Sequence, residues 1–162
     1  IRVEGSKRSV EHRCQALRNL IGRFGQIDEL HTQNSNIFWK EISDVGGLLG
    51  SGQIWRLSVP PSDGTSIVKH ILDSINANVF YDWGGGLIWL ETKDSKISHE
   101  IVREAIKPSG GHATLVRAEP NLRKKVPVFE PQSIALSNLT VRIKKGFDPN
   151  GILNPGRLYE GV

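Results

Sequence analysis

Residues 77–92 read ANVFYDWGGGLIWLET, two strand-like segments joined by three consecutive glycines. Both segments are rich in β-branched and aromatic residues, which favour strands. Glycine accepts the positive φ angles that tight hairpin turns require. The pattern therefore predicts an antiparallel hairpin of 77–83 and 87–92, and the fold of this chain must contain an antiparallel sheet.

Helical and strand patterns alternate along the rest of the chain. Apolar residues recur at helical spacing within 6–24, where Val10, Cys14, Leu17 and Ile21 share one face. By the same criteria, helices are expected at 37–45, 63–75, 98–106 and 131–145, a helical turn at 119–125, and strands at 1–5, 26–31, 53–61 and 112–118.

This order of elements predicts an α+β fold with helices on one face of a mostly antiparallel sheet. We expect a ferredoxin-like, split βαβ arrangement that is doubled, followed by an irregular C-terminal tail. The domain division that follows is 1–145 for the ferredoxin-like domain and 146–162 for the tail. The chain does not begin with Met, so we expect it to be part of a longer protein.

Composition excludes several classes of function. The single cysteine, Cys14, leaves no internal disulfide, and the five histidines show no metal-binding spacing, so no metal site is expected. No Gly-rich dinucleotide or phosphate loop is present, and no catalytic constellation can be named. The net charge of +4 is dispersed, which favours a solvated surface over nucleic-acid binding. No apolar run approaches the ~18 residues of a membrane span.

Alternation along the strands predicts a second sheet face that the helices do not need. Successive side chains of a strand point to opposite sides. The residues expected on this second face are Arg56, Ser58, Asp82, Trp89, His112 and Thr114. A solvated antiparallel face is the simpler interpretation, but a Trp beside Arg and His is also typical of an interface.

The tail GFDPNGILNPGRLYEGV, residues 146–162, contains two turn signals, Asp148-Pro149-Asn150-Gly151 and Asn154-Pro155-Gly156-Arg157. Asn154 offers an amide that both donates and accepts, and Gly156 permits close approach of the backbone to a ligand. Arg157 supplies a planar guanidinium for an anion. The tail is either a plain surface loop or a shaped segment that needs a partner.

At this tail the sequence resembles a known family. GFDPNGILNPGRLY is similar to the C-terminal FDPxGxxNPG signature of FAD-linked oxidases of the vanillyl-alcohol-oxidase type. With IWRLSVPP, VFYDWGGGLIWL, GGHATLVRAEPNLRKKVPVFEP and the final helix, the chain resembles the C-terminal half of the FAD-binding subunits of bacterial glycolate oxidases. The resemblance covers essentially the whole chain.

The resemblance implies a cap domain that covers a flavin and shapes a pocket for a small 2-hydroxy acid. It implies FAD in the full-length protein, with Asn154, Pro155, Gly156 and Arg157 on the cofactor side. Arg117 is assigned to the substrate-side sheet face together with the six residues above. Arg56, His112 and Arg117 become candidates for pairing with a substrate carboxylate, and the sequence does not rank them. The expected partners are an N-terminal flavin-binding domain of the same protein, a sister flavoprotein subunit and an iron–sulfur subunit. The expected location is the cytoplasm, peripheral at the inner membrane, without direct insertion.

The chain departs from this family because it lacks the Gly-rich flavin domain. We therefore expect it not to retain FAD or to turn over glycolate alone. One alternative is a non-catalytic assembly module that docks a sister flavoprotein subunit. Another is a ferredoxin-like nucleic-acid binder, for which Phe80 and Trp89 supply aromatic groups but no RNA-binding run accompanies them.

Overall fold

The structure, a computed structural model, describes residues 1–48, 50, 52–93 and 98–162. Contacts within the chain divide it into two units, residues 1–44 and residues 45–162. The two units have different characters, and the sheet lies entirely in the second.

The first unit is a pair of helices, α1 (Lys7–Ile21) and α2 (Thr32–Ser43), with a short 3₁₀ turn at Gly22–Phe24 after α1. None of its side chains is fully buried. The strands predicted at 1–5 and 26–31 were wrong, because neither segment has a neighbouring strand to complete a hydrogen-bonded ladder. Helix α2 begins earlier than predicted, since its first turn, Thr-Gln-Asn-Ser, carries no apolar periodicity.

The second unit contains one βαββαβ motif followed by two helices. Its elements are β1 (Gln53–Ser58), α3 (Gly64–Leu72), β2 (Ala77–Asp82), β3 (Leu87–Thr92), α4 (Ser98–Ile106), β4 (His112–Arg117), α5 (Pro120–Arg123) and α6 (Ile134–Phe147). The four strands form an antiparallel sheet in the order β2-β3-β1-β4.

This order confirms the ferredoxin-like α+β fold and the 77–92 hairpin. The described residues form one such unit rather than the doubled arrangement expected from the sequence. The reason is that 1–5 and 26–31 supply no strands for a second one.

The hydrophobic core lies between one sheet face and helices α3 and α4. Trp55 and Leu57 on β1 are completely buried beneath these helices, beside Ile88 and Leu90 of β3. The core is completed from the helices and from β4 by Ile67, Val68, Ile71, Val102, Ala105, Ile106, Ala113 and Leu115. Helices α3 and α4 therefore pack on the same face of the sheet, as alternation predicted.

A clamp closes the β4 edge of the sheet. Leu115 N–H donates to the Val128 carbonyl over 2.8 Å, which adds a backbone bond beyond β4. The Arg103 guanidinium lies 2.7 Å from the Glu130 carboxylate, which also accepts from Ala113 N–H at 3.1 Å. Burial lowers the pKa of Arg103, although its attraction to Glu130 opposes that shift. The segment that leads to α6 and the tail is thereby fixed to the sheet.

Leu90→Ala tests whether this core stabilises the fold. Leu90 is completely buried and pairs with both Trp55 and Val79. We expect a loss of about 2–5 kcal/mol in the free energy of unfolding, because a cavity remains where the side chain was. Urea unfolding followed by tryptophan fluorescence measures it. Leu72→Ala, at a half-exposed position, is the matched control and should change stability by less than about 1 kcal/mol. An equal decrease in the free energy of unfolding for Leu90→Ala and Leu72→Ala would contradict the assigned core.

Candidate functional site

The sheet face opposite α3 and α4, named here the outer face, is built from three rows of side chains that cross all four strands. In the order β2, β3, β1, β4, the rows are Asn78–Glu91–Ile54–Arg117, Phe80–Trp89–Arg56–Thr114 and Asp82–Leu87–Ser58–His112. All seven sheet positions expected from the sequence therefore lie on one face. Their role as a site stays a prediction.

Arg117 reaches the outer face through a β-bulge. Trp55 pairs with Leu115 and Ile54 pairs with Arg117, so Val116 is skipped. Simple alternation from Thr114 would have placed Arg117 on the helix side.

Hydrogen bonds occupy the Arg117 guanidinium. It donates to the carbonyls of Leu48 and Gly50 at 2.8 and 3.0 Å and lies 4.0 Å from the Glu91 carboxylate. These bonds assign Arg117 to holding the segment that leads into β1, and they make it the weaker candidate for a ligand.

Arg56 lies at the centre of the outer face, between Trp89 and Thr114. Its guanidinium is 5.6 Å from the centre of the Trp83 ring, a cation–π distance. Phe80 stacks on Trp89 with ring centres 6.4 Å apart and planes inclined at 27°. Within the described part of the chain, no carboxylate lies within 4.0 Å of the Arg56 guanidinium. Arg56 is therefore a half-buried cation, flanked by aromatic rings, that can accept an anionic ligand.

The last row contains smaller polar groups. His112 is exposed at the β4 edge, and Ser58 is half-buried beside it. The Asp82 carboxylate accepts from Trp83 N–H at 2.8 Å and so fixes the hairpin turn. Asp82 has a local structural role that its position on the outer face alone did not indicate.

Two side chains at this face, Trp83 and Glu91, were not among the site residues expected from the sequence. Trp83 was assigned to the end of a strand, but it begins a 3₁₀ turn and lies over Arg56. The Glu91 side chain is only 5% exposed. A β-carbon at Gly50 would lie 2.3 Å from its Oε1, so a larger residue there would displace the Glu91 carboxylate. Alternation placed Glu91 with Trp89, but no sequence signal revealed its burial.

The tail is held by one buried carboxylate. Asp148 accepts from the N–H groups of Ile152 and Leu153 at 3.0 and 2.9 Å, and Lys144 Nζ lies 2.8 Å from its Oδ2. The Lys144 ammonium and the two N–H donors lower the pKa of Asp148 to about 2, against the opposing effect of burial. Lys144 also donates to the Leu153 carbonyl. The tail is therefore a shaped turn and not slack chain.

The four motif residues, Asn154 to Arg157, form the exposed outer turn of this tail. Asn154 and Gly156 have φ angles of 48° and 68°, which Asn tolerates and Gly adopts freely. Gly156 N–H donates to the Val162 carbonyl at 2.7 Å, and Tyr159 OH donates to the Glu130 carbonyl at 3.2 Å. Tyr159 thus ties the tail to the clamp beside β4. Among the described residues, no hydrogen bond joins this turn to the outer face.

Helix α6 exposes its apolar side. None of its side chains is buried, and Phe147 at its end is 85% exposed. The exposed apolar residues of the helix and tail are Ile134, Leu136, Leu139, Ile143, Phe147, Ile152, Leu153 and Leu158. An apolar surface of this extent is typical of an interface.

No group of three or more His, Cys, Asp or Glu side chains in the described part of the chain is placed to hold a metal ion. No described helix has the length and apolar character to cross a membrane.

A curated protein is similar to this chain over nearly its whole length. The glycolate oxidase subunit GlcE of Escherichia coli (strain K12) is 33% identical to this chain over 163 residues. This chain is similar to GlcE. The alignment includes 98% of the chain but only 38% of GlcE, so the chain spans less than two-fifths of its relative. No family model and no solved structure matches the chain. The resemblance to glycolate oxidase subunits is thereby confirmed.

Asp148→Asn tests the tail turn. The amide loses the charge that pairs with Lys144 and one of two acceptor oxygens. We expect hydrogen exchange at the Ile152 and Leu153 amides to accelerate at least about tenfold, because charge-assisted bonds are lost. Asp73→Asn, an exposed position at the end of α3, is the matched control and should leave these two amides unchanged.

The lowered pKa of Asp148 predicts that the order of the tail depends on pH. Its pKa is lowered in the folded state, so its contribution to tail order is complete above about pH 4 and is lost as the pH falls through about 2. Titration of the Asp148 carboxyl by NMR measures this directly. A midpoint near the ordinary value of about 3.9 would contradict the assigned contacts.

Proposed function

We propose that this chain is the C-terminal cap domain of a FAD-dependent 2-hydroxy-acid oxidase or dehydrogenase subunit of the glycolate oxidase type. The similarity to GlcE over 98% of the chain carries the proposal. The FDPNGILNPGR tail and the outer face support it, because each presents groups suited to contact a ligand or domain outside the described structure.

The outer face is suited to a planar cofactor with a small anionic substrate beside it. Phe80 and Trp89 form a stacked aromatic platform, and Arg56 lies next to it with a guanidinium free of carboxylates within the described structure. A four-stranded sheet covers a planar group from one side only. FAD would therefore have to be held mainly by another domain, which agrees with the absence of a Gly-rich loop in this sequence.

Arg56 is the best placed of the three candidate partners for a substrate carboxylate. Arg117 already donates to two carbonyls, and His112 lies exposed at the sheet edge. A guanidinium can bind a carboxylate with two parallel hydrogen bonds and so orient it. When bound, FAD supplies the two-electron oxidation of the hydroxy acid. In this proposal, Arg56 orients the acid, Thr114 offers a hydroxyl beside it, and Trp89 excludes water.

The tail is proposed to contact the cofactor or the domain that holds it. Asn154 presents an amide, Gly156 has no atom within 4 Å of where a β-carbon would stand, and Arg157 is exposed. The Asp148 turn fixes these residues in advance, so little conformational entropy is lost when a partner binds.

The exposed apolar side of α6 and the tail requires a covering surface. In the proposed protein, the N-terminal flavin-binding domain provides it, and sister flavoprotein and iron–sulfur subunits complete the assembly. The complex is proposed to act in the cytoplasm, peripherally at the inner membrane.

The exposed apolar residues also favour a second candidate, an assembly module that docks a sister flavoprotein subunit without contacting a flavin. Phe147 at 85% and Ile152 at 75% exposure are the specific observations for it. The two candidate functions differ in what a substitution in the tail would change. The first predicts weaker flavin binding, and the second predicts weaker assembly with the sister subunit.

Arg157→Ala and Asn154→Ala test the cofactor role in the full-length protein. We expect each to weaken flavin binding by about tenfold or more, because an anion partner or an amide contact is lost. The ratio of flavin to protein absorbance after gel filtration measures it. Arg8→Ala, exposed in the first unit, should retain the wild-type ratio. Wild-type flavin content together with loss of the sister subunit would instead support the assembly module.

Arg56→Gln tests the substrate role in the assembled enzyme. We expect KM for glycolate to rise about 10- to 100-fold while flavin content is unchanged, since the carboxylate loses its cationic partner. Arg56→Lys should restore part of this loss because the charge returns without the planar geometry. Arg142→Gln, exposed on α6, is the matched control. An unchanged KM in the Arg56→Gln enzyme would remove Arg56 from the substrate site.

A further inference from the structure

The two edge strands of the sheet, β4 and β2, differ in the contacts that their outer sides make. The β4 edge carries an added backbone bond to Val128 and the Arg103–Glu130 clamp. Strand β2 forms the other edge, and it pairs only with β3 among the described residues. Its outer backbone N–H and C=O groups therefore remain available to another strand.

Strand β2 also lacks three features that commonly protect edge strands. Its sequence, ANVFYD, contains no Lys and no Pro, and its register with β3 is continuous without a bulge. Lysine, proline and bulges are the usual protections against pairing between molecules. Tyr81 is 45% exposed at this edge, so an apolar ring adjoins the free backbone groups.

The strand is complementary to itself. When two copies pair antiparallel about a two-fold axis at Phe80, Phe80 faces Phe80, Asn78 faces Asp82, and Val79 faces Tyr81. Each of these cross-strand pairs is of a favourable kind: aromatic with aromatic, amide with carboxylate, and aliphatic with aromatic. The only charge on the strand, Asp82, thus meets an amide donor and not a second carboxylate.

We propose that β2 pairs antiparallel with β2 of a second copy of this chain, joining two four-stranded sheets into one of eight strands. The symmetric pairing is what favours a second copy over an unrelated strand. It also extends the outer face, because the Phe80–Trp89 stack of one copy would meet that of the other. This inference does not depend on the proposed function.

The contact is small. Stable interfaces usually bury ~1,000 Å² or more, and pairing of one short strand buries less. We therefore expect a dissociation constant on the order of 10–100 µM for the pairing in the full-length protein.

The test exchanges the partners of the amide–carboxylate pair. Asn78→Asp in the full-length protein places a carboxylate opposite Asp82 of the other copy, twice in each dimer, which we expect to raise the dissociation constant at least about tenfold. The double variant Asn78→Asp with Asp82→Asn restores the complementary pair in reversed order and should return it to within about threefold of wild type. The amide introduced by Asp82→Asn keeps an oxygen to accept from Trp83 N–H, as the carboxylate does. Sedimentation equilibrium over a concentration series measures all three proteins.

Two controls separate this effect from others. Asn121→Asp, exposed on α5, adds the same charge away from the edge and should leave dimerisation unchanged. Asn78 donates to Glu91 at 3.4 Å, so Asn78→Asp also adds repulsion within one copy. The double variant retains that internal repulsion, so its recovery is specific to pairing between copies. Circular dichroism confirms that each variant is folded.

The outcomes are decisive in both directions. Weakening by the single variant and recovery by the double variant support the proposal. A full-length protein that is monomeric up to about ten times the expected dissociation constant overturns it. So does a dimer insensitive to Asn78→Asp, or one that the double variant fails to restore. If β2 variants disturb only assembly with a sister subunit, the edge accepts a different strand and the pairing of two copies is refuted.

Discussion

The second unit depends on one constraint, the position of β1 in the middle of the sheet. Strand β1 pairs antiparallel with β3 on one side and with β4 on the other. Because side chains alternate, this double pairing sends Trp55 and Leu57 to the helices and Arg56 and Ser58 to the outer face. The burial of the first pair therefore holds the second pair in position. A shift of register by one residue would bury Arg56 without a carboxylate to pair with it, at a large desolvation cost. The core and the candidate site are two consequences of one register.

Outside the sheet, ion pairs hold the segments that bury few apolar side chains. The Arg103–Glu130 pair fixes the segment after β4, and Lys144 with Asp148 fixes the turn after α6. Both pairs also engage backbone groups, which is what makes burial of a charge tolerable. The result is a tail with a defined turn, whose apolar residues are exposed in the described structure. The proposed contact with another domain would therefore involve a segment that is already shaped.

The agreement between sequence and structure is closest where a local rule is sufficient. The hairpin, the helix faces and the outer-face positions followed from alternation and glycine, and the tail turns followed from Pro, Asn and Gly. The strands at 1–5 and 26–31 failed because strand patterns of five or six residues need a neighbour that no local rule can supply. Arg117 reached the outer face only through a bulge, which depends on the pairing of two strands distant in sequence.

Local pattern in the chain was enough to establish its α+β class, the ferredoxin-like order of elements and, through the motif in its tail, its likeness to glycolate oxidase subunits. It could not rank Arg56 above Arg117 or reveal that Glu91 is buried. Nor could it show that one sheet edge is clamped while the other has no further strand among the described residues. Those properties depend on which groups distant in sequence come together, as Arg103 meets Glu130 across 27 residues and Arg117 meets Leu48 across 69. Such meetings are set by the packed sheet, because burial and hydrogen-bond partners exist only once distant strands are side by side.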